Sequence, residues 1–312
     1  MRQELPDGAQ AAVRKPKAKP VKLQSPAPSS QRHAGLIPIP RELPQSGHSI
    51  FSGLGAWVDL FDVNVLPVQS TINTLRANGV QTLYLETGLS NTRQAVEPDS
   101  VKWLIAAHRA GLKVVGWYLP YYVNLPGDVG RTVAVARFSA RGIHFDGVGV
   151  DIEYKGAQPN NKKWNQNVVR HMNAVRRILG RAYPLAAIPP PPLQMRVAPA
   201  MWAGFPWKSL AKVSSEFMLM SYWSDRTGCP RIRLHCAYEF TKFNVLLTRQ
   251  ITGGKVPIHI IGGVGDSITA TQLVAFIKGA ADAHADGASI YDVGTTNWHW
   301  WGSLRYLASL GS

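Results

Sequence analysis

No run of about 18 apolar residues, the length a helix needs to cross a bilayer, occurs anywhere in the 312 residues, so no membrane span is expected. The first 30 residues also lack the apolar core of a signal peptide. Cysteine is nearly absent: Cys229 and Cys236 are the only two, with six residues between them, Pro230 included. A short disulfide loop and a free thiol pair both remain open, while zinc is excluded because His235 has no second histidine near it. Missing too is a glycine-rich nucleotide loop after the first apolar run, where Val58-Asp59-Leu60-Phe61-Asp62 stands instead. Gly262-Gly263-Val264-Gly265 lacks the Lys-Ser/Thr of a phosphate-binding loop and reads as a tight turn. No cofactor and no metal ion is expected.

Acids are scarce. The chain carries 19 Asp and Glu against 34 Lys and Arg, a net charge of +15. Residues 1–48 hold eight basic residues (Arg2, Arg14, Lys15, Lys17, Lys19, Lys22, Arg32 and Arg41) and three acids (Glu4, Asp7 and Glu42), which leaves +10 for the remainder. This tail is rich in Pro, Ala, Lys, Ser and Gln, a composition that buries too little apolar surface to offset the entropy of ordering. It is expected to be a disordered, solubilising tether, with contact to an anionic polymer as the alternative. Aromatic residues do not interleave its charges, which argues against single-stranded nucleic acid.

What is present from residue 49 onward is an alternation. Short apolar runs at Leu54–Leu60, Val80–Glu86, Lys113–Leu119, Phe145–Glu153, Leu185–Ile188, Phe217–Trp223, Pro257–Ile261 and Ala288–Asp292 alternate with helical patterns, several closed by a glycine. Eight such units, in a chain with 45% hydrophobic residues, predict a single (β/α)8 barrel of the TIM type over residues 49–312, acting as a monomer. The run Pro189–Pro192 is expected to form a stiff extended wall.

In such a barrel, chemistry sits at the C-terminal ends of the strands. Those ends offer Asp59 and Asp62, Glu86, Asp151 and Glu153, Tyr222 with Asp225 beyond it, and Asp292. The fourth run stands apart. Its period-two alternation puts Gly147, Gly149, Asp151 and Glu153 on one face and Asp146, Val148, Val150 and Ile152 on the other. The first set faces the axis, and carboxylates two residues apart, roughly 6–7 Å, are close enough to separate each other's protonation states. One acid can then donate a proton while its neighbour stays charged. Aromatic residues gather at the same ends: Trp117, Tyr121, Tyr122, Trp223, Trp298, Trp300 and Trp301 fall at or just after strand termini, where rings stack on sugars.

The spacing D-x-x-G-x-D-x-E from Asp146 to Glu153 resembles the D-x-x-D-x-D-x-E signature of glycoside hydrolase family 18, the chitinase-like barrels. Met220-Ser221-Tyr222 is similar to that family's Met-x-Tyr, with Trp223 where the family has Asp, and Trp298 resembles its sugar-stacking Trp. The resemblance implies a glycosidase in which Glu153 is the general acid, Asp151 holds the substrate's acetamido group and Tyr222 supports it. Asp59, Glu86, Trp117, Trp223, Asp292 and Trp298 would bind the carbohydrate. Gly149 departs from the family, which has Asp there. Muramidase-like barrels with an Asp-x-Glu strand and polygalactosaminidase-like barrels with a Phe-Asp-Gly-Val strand also resemble this run, and a non-catalytic, lectin-like barrel is the alternative function. A glycan-processing role in the cell envelope or outside the cell is the expected setting.

Overall fold

A computed structural model describes residues 49–155, 160–225 and 233–311. The expectations for the tail, for Cys229 and for the side chain of Asp225 therefore lie outside the described residues. Ten strands occur in chain order: β1 (Gly53–Val58), β2 (Thr82–Leu89), β3 (Lys113–Leu119), β4 (Ser139–Ala140), β5 (Ile143–His144), β6 (Gly147–Asp151), β7 (Leu185–Ile188), β8 (Glu216–Met220), β9 (Ile258–Val264) and β10 (Gly287–Tyr291). Eight of them close a barrel in the order β1-β10-β9-β8-β7-β6-β3-β2, every pairing parallel, and β4 and β5 form a separate antiparallel hairpin. The eight expected runs are the eight barrel strands.

Alternation sorts each strand into two faces. Leu54, Ala56 and Val58, Leu83 and Leu85, Val148, Val150 and Ile152, and Ile258 and Ile260 join the apolar layer beneath the helices. Their neighbours fill the inside, where one group of polar atoms pairs around His259. His259 Nδ1 donates to the Phe51 carbonyl at 2.8 Å, its Nε2 faces Ser289 Oγ at 2.8 Å, and Trp57 Nε1 donates to the same Ser289 Oγ at 2.7 Å. Burial keeps the His259 ring neutral, its pKa lowered to about 4. Trp57 stacks on Tyr84 with centroids 4.5 Å apart, so the barrel is a packed core below its mouth.

One connection differs from expectation. Pro192 opens the helix Pro192–Val197 rather than extending the stiff run, because a proline at the first helical position forfeits no intrahelical hydrogen bond. The helix Leu125–Ala136 follows a turn in which Tyr122 adopts φ 57°, held by Asp128, whose Oδ2 accepts from Tyr122 N at 2.9 Å. Asp128 Oδ1 accepts from Tyr118 Oη at 2.6 Å and from Ser90 Oγ at 2.8 Å, so one buried carboxylate ties three segments together. Cys236 is disulfide-bonded. Among the described residues no helix is long and apolar enough to cross a membrane.

Candidate active site

Parallel closure puts the C-terminal ends of all eight barrel strands on one rim, and the acids expected there are there. Asp59 follows β1, Glu86 lies in β2, Asp151 ends β6 with Glu153 two residues beyond, and Asp292 follows β10. Asp59, Asp62, Glu86, Asp151 and Asp292 are all buried, and Glu153 is half-buried.

Burial and mutual repulsion set their protonation. The Glu86 carboxyl is pushed up to about 8, first by burial and then by the negative charges of Asp59, Glu153 and Asp292, against one opposing hydrogen bond from Leu60 N to Oε2 at 2.9 Å. Asp151 is raised well above the usual carboxylate range by burial, then by Glu153 and Glu86. Asp292 is raised to about 7 by burial, then by Asp62 and Asp59. At neutral pH the rim thus mixes protonated and charged carboxyls, the condition for proton donation beside a stabilising charge.

Asp151 Oδ1 is buried with no hydrogen-bond partner among the described residues, and Tyr122 Oη and Trp117 Nε1 share that condition. Burial holds the Tyr122 hydroxyl well above its usual range, and the charge of Asp151 adds to this, ahead of that of Asp128. Buried polar atoms without partners are rare in folded proteins, and at a barrel rim they mark where a ligand would bond.

Asp59, Asp62 and Asp292 each bring one carboxylate oxygen to within 4.8 Å of the others, an arrangement of a size that a divalent cation fits. The same groups tie down loops: Asp59 Oδ1 accepts from Phe61 N at 2.8 Å and Asp62 N at 2.9 Å, Asp62 Oδ2 from Gly294 N at 3.1 Å, and Asp292 Oδ1 from Thr295 N at 2.9 Å. Their grouping was not visible in sequence, because β1 and β10 become neighbours only when the barrel closes.

Gly149 shows why the family's acid is missing. A Cβ built there would lie 2.7 Å from Ile188 Cδ1 and 3.3 Å from Trp117 Cβ, so Ile188 and Trp117 occupy the space a side chain would need. Trp117 is itself buried, edge-on to Trp57 at 5.8 Å. Tyr222 is buried with its ring 5.6 Å from that of Tyr291. Asp146 lies before β6 and anchors strand ends, accepting from Val114 N at 2.8 Å and pairing with Lys113 and His108, each at 3.1 Å.

The aromatic expectations divide. Trp223 does not face the mouth: it stacks on Phe276 at 5.2 Å within the apolar layer, on the side of β8 that Phe217 and Leu219 also occupy. Trp301 is likewise core. Trp298 is 55% exposed beside His299. One aromatic pair escaped the sequence reading. Tyr154, next to Glu153, stacks on Tyr121 with centroids 4.1 Å apart, and both rings are half-buried. Its only signal was its place directly after the motif.

No protein-family model matches the chain, and no curated protein matches it in sequence. Solved structures do share the fold. The glycoside hydrolase domain of PgaB (BpsB) from Bordetella bronchiseptica superposes with a TM-score of 0.56 at 12% identity, over 84% of this chain and 100% of that one. The spore cortex-lytic enzyme SleL from Bacillus cereus gives 0.59 at 10% identity, over 83% and 74%. A mutant plant class V chitinase from Cycas revoluta, in complex with (GlcNAc)3, gives 0.55 at 12% identity, over 82% and 99%. At this identity the likeness is one of fold: the chain is a barrel of the shape these glycan-cleaving proteins share.

Proposed function

We propose that the protein is a glycoside hydrolase whose general acid is Glu153. The carrying observation is the carboxyl cluster at the rim, where burial and mutual repulsion among Asp151, Glu86 and Glu153 make the set retain protons at neutral pH. Glu153 is the most exposed of the three and the one placed to pass a proton to substrate. Glu153 protonates the glycosidic oxygen and the leaving sugar departs. Asp151, with a buried oxygen that has no partner among the described residues, bonds the group that attacks or stabilises the anomeric carbon, and Tyr222, just beyond the end of β8, supports the same group. Water then adds to that carbon and returns a proton to Glu153. Protonated at pH 7, Glu86 donates a hydrogen bond to sugar and keeps one negative charge out of the cleft. The stacked Tyr121 and Tyr154 present flat apolar faces suited to a sugar ring beside the proton donor.

The barrel shape shared with a chitinase seen in complex with (GlcNAc)3 supports an N-acetylated amino sugar as the first substrate to try. A lectin-like barrel is the second reading, favoured by Gly149, whose space is filled by apolar groups rather than a further acid. Replacing Glu153 by Gln separates the two. The hydrolase reading predicts a loss of roughly 10²–10⁴-fold in kcat with oligosaccharide affinity retained, as removal of a general acid gives. Equal turnover in the variant would end the assignment.

A further inference from the structure

The excess charge of the barrel is confined to one sector. Residues 129–215 contain thirteen Lys and Arg against three acids, a net +10, and the rest of the barrel is neutral. The three acids are Asp146, Asp151 and Glu153, which anchor strand ends or line the rim, and Asp128, on the helix Leu125–Ala136 just before this sector, is buried, so none is offered to solvent on these helices. Three of the cations are engaged: Arg131 bonds the Thr92 and Gln94 carbonyls, Lys155 is buried against Trp164 and Trp202, and Arg176 bonds carbonyls including Val213 at 2.6 Å. The other ten are all exposed, and among the described residues none takes part in an ion pair.

Their layout is linear. The helix Asn161–Leu179 spans about 28 Å and has no acidic residue. Lys163, Arg170 and Arg177 recur at seven-residue intervals, so they form one stripe drifting by only about 20° per step, at a spacing of about 10 Å. Exposed Gln166 and Asn173 fill the intervals with hydrogen-bonding groups. The helices Leu125–Ala136 and Trp207–Leu210 both pack on this helix, and exposed Lys208 lies on the second of them, with exposed Arg137 and Lys212 just beyond their ends.

We propose that this flank is a docking surface for an anionic polysaccharide, separate from the mouth. A row of unpaired cations with no compensating acids repels itself and is stabilised by a polymer that repeats negative charge. The one large exposed apolar side chain on these three helices is Ile178, an aliphatic group, so no exposed ring is offered there for stacking on bases as single-stranded nucleic acid requires. The choice of a glycan among polyanions rests on the hydrolase reading above; the existence of the surface does not. Held on the flank, such a polymer is kept out of the acidic mouth by charge, so the docked chain anchors the protein and is not what it cleaves.

Full-length protein is titrated with polygalacturonate at rising salt, beside the variant carrying Lys163→Gln, Arg170→Gln and Arg177→Gln. Affinity is expected to fall steeply with salt in the wild type, and by at least about tenfold at fixed salt in the variant, as loss of charge contacts on a polyanion gives. Should the triple variant melt early, the single Arg170→Gln and Arg177→Gln variants each carry the test, with smaller losses of the same sign. Unchanged affinity would overturn the proposal, as would tighter binding of duplex DNA or of anionic lipid vesicles at equal charge concentration. Glu153→Gln must bind polygalacturonate like the wild type, so failure of the hydrolase reading and failure of the docking surface give different results.

Discussion

The mouth and the flank solve opposite electrostatic problems. At the mouth six carboxyls are crowded on a rim, and the fold answers by burying them, so that Glu86 and Asp292 rise to about 8 and about 7 and protons replace part of the charge. On the flank ten cations stay in water, where each keeps its charge at little cost and none needs a protein partner. The lesson is that net charge describes neither region. A chain of +15 presents acids where its chemistry is proposed and carries the barrel's whole positive excess, +10, in residues 129–215.

The two regions were unequally legible. Strand order and the rim acids followed from local pattern, because a parallel barrel reads as apolar runs that end in polar residues. Trp223 was misread because only its place at a strand end was weighed: it has the parity of Phe217 and Leu219, whose side chains join the helix layer, so alternation along β8 already points it away from the mouth. The Asp59–Asp62–Asp292 group and the Tyr121–Tyr154 stack depend on neighbours across the barrel, which no window of sequence shows. The flank was present in the sequence as a count of charges. Its meaning required knowing that the three acids of residues 129–215 belong to strand ends and the rim and not to the surface.

Three changes sharpen the contrast. The largest effect on stability is expected at Gly149. Gly149→Asp forces a side chain against Ile188 and Trp117 and adds a carboxyl to a crowded rim, at a cost of more than about 3 kcal/mol. Chemical denaturation checks this, and adding Ile188→Ala should recover part of the loss if space is the cause.

Next comes pH. Glu86 has a folded pKa of about 8, above its ordinary 4.5, so its favourable contribution is complete below about pH 4.5 and is lost as pH rises through about 8. Glu86→Gln should therefore match the wild type near pH 4 and melt at a higher temperature near pH 8. Equal melting curves at both pH values would show that the rim does not hold its proton. The smallest effect is at the flank: the Lys163, Arg170 and Arg177 glutamine variant should leave turnover of a small neutral glycoside unchanged.

The most direct measurement is release of new reducing ends from N-acetylglucosamine oligomers and cell-wall glycans by the wild-type protein, recorded beside its affinity for the same ligands. The account predicts binding together with catalytic release that continues through many turnovers. Binding with no release from any of these glycans would contradict it and leave the barrel a lectin-like protein with an acidic mouth.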